Sequence, residues 1–303
     1  MPKGHMKSPI RILLQTTIPV AEDDWHVGRF SLLRQHLSSL RDHEGRPLCE
    51  VLARDRETNA DGDDEVLSQL DATDFDELWL FAVDVGDGLT EADCKGITRF
   101  RQCGGGILTT RDHQDLGSSL CTLGGVGRAH FFHSKHQDPD ESRRARDDQD
   151  SKTLSWPNYH SGSNGDYQRV TPVAPVHGLL RNAAGVIEYF PAHPHEGGVG
   201  VPEGEKNARV VATGVSRVTG RPFNLMIAFE GLEDGHGHRL GRAVAESSFH
   251  HFTDYNWDTS MGCPSFVTEP PGDQIKREPE KLGDVKAYVR NLALWLAPSD
   301  SRA

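Results

Sequence analysis

Four short apolar runs alternate with helical patterns over the first third of the chain, and this alternation constrains the fold more than any other feature. The runs are Ile10–Leu14, Cys49–Ala53, Glu77–Val83 and Ile107–Thr110. Strands that are buried on both faces have nearly continuous apolar sequences, and strands that alternate with helices pair in parallel. The pattern therefore predicts an α/β fold with a doubly wound, mostly parallel sheet.

Helix signals between the strands support this order. Val27–Leu40 carries apolar residues at helical spacing, and Glu65–Leu70 predicts a short helix. Thr90, followed three residues later by Asp93, is close to a capping box, which predicts a helix that begins there and ends at Gly104. Strands and helices thus alternate through residue 110.

Regular patterns return in the second half of the chain. We expect a strand at Gly185–Phe190, a pair of strands at Arg209–Val215 and Phe223–Phe229, a strand at Arg242–Ser248 and a final helix at Val285–Leu296. Residues 124–175 between the two halves form a long irregular insertion. The chain from 7 to 303 is predicted to be one domain, and residues 1–6 resemble a remnant of an expression tag.

The insertion has two interpretations. Its aromatic residues, among them Trp156 and Tyr159, favour an ordered lid over a site. The mixed-charge run Asp138–Lys152 equally suits a solvated surface insertion. Both interpretations stay open at this point.

Composition excludes several classes of partner. The formal net charge of −12 argues against nucleic acid or an anionic membrane surface, and no apolar run is long enough to span a bilayer. The five cysteines form no C-x-x-C pair and are expected to be free thiols in a reducing cytoplasm. Neither a phosphate-binding loop nor a G-x-S-x-G elbow is present. A small-molecule substrate is the expected partner, and a homo-oligomer stays open.

Polar side chains follow three of the predicted strands, and histidine is abundant at 16 residues. The groups are Arg111 with Asp112 and His113; His193 with His195 and Glu196; and His250 with His251 and Asp254. Ligands bind at the carboxyl ends of the strands in an open α/β sheet. Imidazoles and carboxylates from separate strand ends can bind one divalent metal ion, for which zinc is the first candidate and iron or manganese the alternatives.

We assign roles on this basis. The predicted metal ligands are His113, His195, His250 and His251, although one of the two adjacent histidines is expected to be structural. Asp112 and Glu196 are the predicted catalytic carboxylates, which complete the metal shell or act as general base. The predicted substrate-binding residues are Arg111, His193, Asp254, Trp156 and Tyr159.

Simpler structural explanations accompany these roles. Asp112 or Asp115 would cap a following helix, and Arg111 would pair with Asp115. His236 and His238 suit a solvated turn.

Several segments resemble the class I glutamine amidotransferase-like superfamily, and within it the trehalose-utilisation (ThuA-like) branch. They are Phe75–Phe81, Gly88–Asp93, the helix end at Gly104–Gly106, and Gly106–His113. Pro175–Leu180 is similar to that branch's His-Pro-x-x-x-Gly-Leu segment, and Ser247–His251 to its late strand. The resemblance covers about residues 8–123 and, more loosely, 172–256.

The resemblance implies a flavodoxin-like sheet with a site at the strand ends. Glutamine amidotransferases carry a cysteine nucleophile after the strand that here leads into Arg111, whereas ThuA-like proteins place a histidine there, which His113 resembles. Thioester chemistry is therefore not expected. Sugar metabolism is the association of the ThuA-like branch.

The leading functional hypothesis is a metal-dependent enzyme, a hydrolase that acts on a small polar or carbohydrate-like substrate. One alternative is a non-catalytic sugar- or ligand-binding ThuA-like protein. Another is a redox metalloenzyme that uses the same histidines and carboxylates, because these ligands also suit iron or copper.

Overall fold

The computed structural model of the protein describes residues 9–151, 153–233 and 239–298. The tag-like residues 1–6 and the predicted turn at His236 and His238 lie outside these ranges. Among the described residues, no helix combines the length and apolar character needed to cross a lipid bilayer.

An eight-stranded sheet forms the centre of the described structure. In chain order its strands are β1 (Ile10–Thr16), β2 (Cys49–Arg54), β3 (Glu77–Phe81), β4 (Gly106–Thr110), β5 (Thr171–Pro172), β6 (Ala208–Val215), β7 (Pro222–Phe229) and β8 (Ala243–Glu246). Their order across the sheet is β2-β1-β3-β4-β8-β7-β6-β5. The first five strands in this order pair in parallel, and β8, β7, β6 and β5 pair antiparallel. The sheet confirms the predicted flavodoxin-like α/β fold.

Helices cover both faces of this sheet. They are α1 (Ser31–Ser39), α2 (Glu91–Gln102), α3 (Asp254–Trp257), α4 (Gln274–Arg277) and α5 (Leu282–Leu296). On one face, α1 and α5 bury a core that includes Leu33, Leu37 and Val289. On the other face, α2 buries Ile97 and Phe100. Two apolar layers around a sheet whose central strand β3 is wholly buried explain why the strand sequences are continuously apolar.

Local signals act as predicted at α2. The Thr90 side chain accepts a hydrogen bond from the Asp93 backbone N–H at 3.2 Å, and the Asp93 carboxylate accepts one from the Thr90 backbone N–H at 3.0 Å. Each side chain satisfies a backbone donor that the helix itself leaves free. Gly104 follows the helix with a φ of +97°, a conformation that glycine adopts without steric strain.

Three predicted elements differ from the structure. The first part of the predicted helix Val27–Leu40 is a 3₁₀ turn, Val27–Phe30, which precedes α1. In place of the predicted helix Glu65–Leu70 the structure has a 3₁₀ segment, Leu67–Ala72. The predicted strand Gly185–Phe190 is divided into Gly185–Val186 and Tyr189–Pro191, which pair with Arg181–Asn182 and Tyr167–Arg169 outside the main sheet. The apolar pattern was right about burial, but it does not encode which neighbour a short strand pairs with.

Candidate functional site

Two neighbouring strands bring the first site residues together. Asp112 follows β4, and His250 lies in a 3₁₀ turn, Phe249–His251, that follows β8. Because β4 and β8 pair in parallel, their carboxyl ends meet at the same edge of the sheet. His193 approaches the same point from the irregular segment after Tyr189–Pro191.

Asp112, His193 and His250 form a compact buried group, which we call the Asp112 cluster. One potential ligand atom from each residue lies within 4.8 Å of the others. His193 Nδ1 lies 3.3 Å from Asp112 Oδ1, and His250 Nε2 lies 3.5 Å from Asp112 Oδ2. The two imidazole rings stack with their centroids 3.5 Å apart. A carboxylate and two imidazoles at this separation have the chemistry of a divalent metal site.

Two acceptors face each other inside this cluster. His193 Nδ1 accepts a hydrogen bond from the backbone N–H of His195 at 3.3 Å, so this nitrogen carries no proton that it could donate to Asp112. Asp112 Oδ1, which faces it, has no hydrogen-bond partner in the described part of the chain. Buried polar atoms are almost always paired, so an unpaired carboxylate oxygen beside an unprotonated ring nitrogen is a candidate position for a cation.

His113, His195 and Glu269 border the cluster on its more accessible side. His113 Nδ1 lies 3.1 Å from Asp112 Oδ2, and the His113 side chain is 21% exposed, whereas those of Asp112, His193 and His250 are 3% exposed. His195 Nε2 lies 2.6 Å from Glu269 Oε1. The His195 ring contacts those of His113 and His193, with centroid distances of 5.2 and 5.4 Å. Solvent therefore reaches the cluster from the side of His113.

The surroundings fix the charge states that a metal site requires. Burial alone would raise the pKa of Asp112, but the neighbouring imidazoles, among them His113 beside Oδ2, outweigh burial and hold that pKa well below its usual value. Burial, together with the neighbouring His250, lowers the pKa of His193 well below its usual value. Asp112 is therefore a carboxylate and His193 a neutral imidazole, which are the forms that bind metal ions.

His195 has a different environment. Burial would lower its pKa, but the hydrogen bond to Glu269 and the charges of Asp112 and Glu269 raise it above the usual value. The same hydrogen bond lowers the pKa of Glu269. The pair is thus a hydrogen-bonded imidazole and carboxylate beside the cluster. Glu269 was not among the residues predicted from the sequence, because it lies in an irregular segment with no strand or metal-ligand spacing before it.

A second buried group, the Glu196 network, consists of Glu196, Glu246, His251 and Tyr288. His251 Nδ1 lies 2.9 Å from Glu246 Oε2, and His251 Nε2 lies 3.2 Å from Glu196 Oε1. Tyr288 donates a hydrogen bond to the other oxygen of Glu246. Glu196 also accepts hydrogen bonds from Ser247, Ser161 and Gln168.

This network separates two predicted site residues from the Asp112 cluster. Although burial opposes it, the two carboxylates raise the pKa of His251 to about 10. Both ring nitrogens of His251 and all four carboxylate oxygens of Glu196 and Glu246 have partners. The structure therefore places His251 and Glu196 in a closed internal ion pair, and only His250 of the adjacent pair reaches Asp112.

Arg111 lies beneath the site. Its side chain is fully buried, and its guanidinium donates hydrogen bonds to the backbone carbonyls of Gln114 and Phe131. It also stacks over the Phe132 ring at 4.2 Å. Burial lowers the pKa of Arg111 to about 9. These contacts tie the turn after β4 to the following segment, and a substrate contact would require Arg111 to leave them.

Three other predicted substrate-binding residues have structural contacts away from the Asp112 cluster. The Asp254 carboxylate accepts hydrogen bonds from the backbone N–H groups of Ser31 and Leu32 at the start of α1. Trp156 packs against His133 and Arg144. Tyr159 stacks on Phe223 with the ring centroids 4.8 Å apart.

Asp112 and Asp115 do not cap a helix. The carboxylate of Asp112 faces the histidines, and that of Asp115 accepts a hydrogen bond from the backbone N–H of Ser134. The next helical element is a 3₁₀ turn, Ser118–Thr122, whose N-cap is Gly117.

The insertion at 124–175 is anchored to the sheet. Asp147 accepts hydrogen bonds from the hydroxyls of Ser216 and Thr219 in the turn between β6 and β7, at 2.6 and 3.0 Å. Asn158 Nδ2 lies 3.5 Å from His195 Nδ1, so the insertion reaches the site. These contacts connect the described part of the insertion to the sheet and to His195 at the edge of the Asp112 cluster.

The comparisons with known proteins found similarity in structure only. No protein-family model and no curated protein matches the sequence. The mmIFT52 N-terminal domain matches the structure with a TM-score of 0.50 and 13% identity, over 94% of this chain and 97% of that chain. A ThuA-like protein from Parabacteroides merdae matches with a TM-score of 0.43 and 15% identity, over 79% of each chain. The Trypanosoma brucei CTPS glutaminase domain with bound acivicin has a TM-score of 0.43 and 15% identity, over 96% of this chain and 98% of that chain. At 13% identity, the likeness to the mmIFT52 N-terminal domain concerns the fold alone.

Proposed function

We propose that the protein is a metal-dependent enzyme, a hydrolase that acts on a small polar or carbohydrate-like substrate. Asp112, His193 and His250 would bind the ion, and His113, whose Nδ1 lies 3.1 Å from Asp112 Oδ2, would complete its coordination. The observation that carries the proposal is Asp112 Oδ1, a buried carboxylate oxygen without a hydrogen-bond partner among the described residues, which lies 3.3 Å from the unprotonated Nδ1 of His193. A cation would give Asp112 Oδ1 the partner that it lacks, and His193 Nδ1 would reach this cation by exchanging its hydrogen bond from the His195 N–H for the ion.

Hydrolysis is favoured by the groups beside the cluster. A divalent ion in such a site polarises a carbonyl or activates water. His195, hydrogen-bonded to Glu269, can hold a proton and transfer it to or from a group bound at the accessible side of the cluster. The carbohydrate-like substrate, and membership of the ThuA-like branch, rest on the sequence resemblance and are part of the proposal.

A redox metalloenzyme is the second candidate. Two histidines and one carboxylate are also the ligand set of non-haem iron oxygenases, so the Asp112 cluster supports this alternative through its composition. The identity of the bound ion distinguishes the two.

The first experiment measures metal binding. Wild type is compared with Asp112→Asn and His250→Gln, and with His177→Gln as a control, since His177 is buried in another part of the fold beside Glu230. We expect near-stoichiometric zinc, iron or manganese by elemental analysis in wild type and the control, and its loss in the two cluster variants. At about 100 times the dissociation constant, the ion should stabilise wild type by about 2.7 kcal/mol.

The second experiment measures the reaction. Zinc- and iron-loaded proteins are assayed with chromogenic glycosides and esters, and the iron form also for oxygen uptake. Hydrolysis that disappears in Asp112→Asn supports the proposal. A folded wild type that binds no divalent ion, or binds it equally well without the Asp112 carboxylate, contradicts it.

A further inference from the structure

Asn256 lies between the two halves of the Asp112 cluster. It belongs to α3, its side chain is fully buried, and no sequence pattern marked it. Its amide contacts both the His250 ring and the backbone of Ala192, the residue before His193. One side chain therefore connects the two segments that carry the cluster histidines.

The orientation of the Asn256 amide follows from its partners. Nδ2 lies 2.9 Å from the backbone carbonyl oxygen of Ala192 and 3.0 Å from Asn164 Oδ1. A backbone carbonyl can only accept a hydrogen bond, so the amide must turn its NH₂ group toward Ala192. Oδ1 then faces the opposite side, where it accepts a hydrogen bond from the hydroxyl of Thr253 at 2.8 Å.

This orientation determines which nitrogen of His250 carries the proton. His250 Nδ1 lies 3.3 Å from Asn256 Oδ1. Because an amide oxygen cannot donate, the hydrogen bond requires the proton on Nδ1. In the neutral ring Nε2 is then bare, and this nitrogen is the one that lies 3.5 Å from Asp112 Oδ2.

We propose that Asn256 is a positioning residue that holds His250 with its proton on Nδ1, so that the bare Nε2 is directed at a divalent cation bound by Asp112 and His193. The cation rests on the proposed function, whereas the position of the proton does not. Residues that hydrogen-bond to the far nitrogen of a ligand histidine fix the tautomer and the ring orientation in this way, and their loss weakens metal affinity by about 10- to 100-fold.

The test reads the tautomer and the affinity separately. The ¹⁵N signals of His250, assigned with His250→Gln, are recorded on the metal-free protein at alkaline pH, where they no longer change with pH. Zinc sulfate is then titrated by calorimetry. The variants are Asn256→Leu and Asn256→Ala, which remove the acceptor, and Asn256→Asp, which retains one. The matched control is Asn164→Ala, which removes a partner of Nδ2 and leaves Oδ1 in place.

We expect the proton on Nδ1 in wild type, Asn256→Asp and Asn164→Ala, and a mixture of tautomers in Asn256→Leu and Asn256→Ala. Zinc should bind about 10- to 100-fold more weakly to the latter two. A proton on Nε2 in wild type, or an unchanged tautomer and zinc affinity without the amide oxygen, overturns the assignment. If wild type binds neither zinc nor, in parallel titrations, iron(II) or manganese although its Nδ1 is protonated, the proposed function and the cation are overturned, and the metal-free spectra identify that case.

Discussion

The Asp112 cluster and the Glu196 network contain the same kinds of side chain, yet they are built in opposite ways. Adjacent residues are divided between them, with His250 in the first and His251 in the second. In the Glu196 network, donors meet acceptors, since both nitrogens of His251 face carboxylate oxygens. In the Asp112 cluster an acceptor faces an acceptor, and one carboxylate oxygen has no partner among the described residues.

This difference in hydrogen bonding suggests different roles: the Glu196 network stabilises the fold, and the Asp112 cluster is suited to bind a ligand. A buried ion pair whose hydrogen bonds are all made is stable without a ligand and has no unpaired donor or acceptor with which to bind one. A buried carboxylate oxygen without a hydrogen-bond partner is unfavourable until a cation joins it, and proteins retain such atoms where function requires them. The comparison can be tested by mutating each group and measuring stability.

The largest effect is expected in the Glu196 network. His251→Leu leaves the carboxylates of Glu196 and Glu246 buried without their common partner, so the free energy of unfolding at neutral pH should fall by about 3–5 kcal/mol. Urea denaturation measures this change. The control His177→Gln alters a buried histidine that pairs with one half-exposed carboxylate, and should cost less. A loss below about 1 kcal/mol in His251→Leu would show that the network is not a closed ion pair.

The pH dependence of stability is a second test of the difference between the Glu196 network and the Asp112 cluster. The folded pKa of His251 is raised to about 10 from an ordinary 6.5, and burial raises that of Glu246. Both groups bind protons more tightly when folded, so their stabilisation is present at low pH and is lost as pH rises, for His251 between about 6.5 and about 10.

The reference for this pH dependence is a variant with glutamine at Glu196, Glu246 and His251. The unfolding free energy of wild type minus that of this variant should fall as pH rises, because wild type loses the stabilisation. The fall should be at most about 1.4 kcal/mol per pH unit for one proton. His177, whose pKa burial lowers, supplies a control of opposite sign. The stability of wild type relative to His177→Gln should rise as pH increases toward 6.5. A flat or rising difference for the triple variant would contradict the network's assignment.

The smallest effect is expected at Asp112 in the metal-free protein. Asp112→Asn removes a carboxylate whose pKa is held well below its usual value, so the free energy of unfolding at neutral pH should fall, but by less than in His251→Leu because Asp112 Oδ1 has no hydrogen-bond partner to lose among the described residues. The same variant should gain nothing from added zinc. Denaturation of both proteins with and without zinc measures the two effects. A loss of several kcal/mol without metal would mean that Asp112 is a structural ion-pair partner, as His251 is.

Much of the framework was predictable from local sequence. The strands that end at Thr110 and near Glu246 carry apolar residues because they are buried on both faces, and the Thr90 capping box marks the start of α2. Polar residues just after such strands predicted that Asp112 and His250 would meet. His193 was predicted as a substrate contact, and the structure places it against Asp112.

Other features had no local signal. Glu269 and Asn256 reach the site from an irregular segment and a one-turn helix, so no periodicity indicates where their side chains point. Gly185–Phe190 has the pattern of one strand, but its two halves pair with different short partners. Periodicity reports burial and leaves the choice of partner to long-range contacts.

The sequence alone determined the order of strands and helices, the parallel core of the sheet, and the edge at which histidines and carboxylates gather, because each depends on spacing along the chain. Only the tertiary structure decided that His250 joins Asp112 while His251 joins Glu196. The reason is that the two residues lie in a 3₁₀ turn, where consecutive side chains point in different directions, and the partner of each comes from a distant part of the chain.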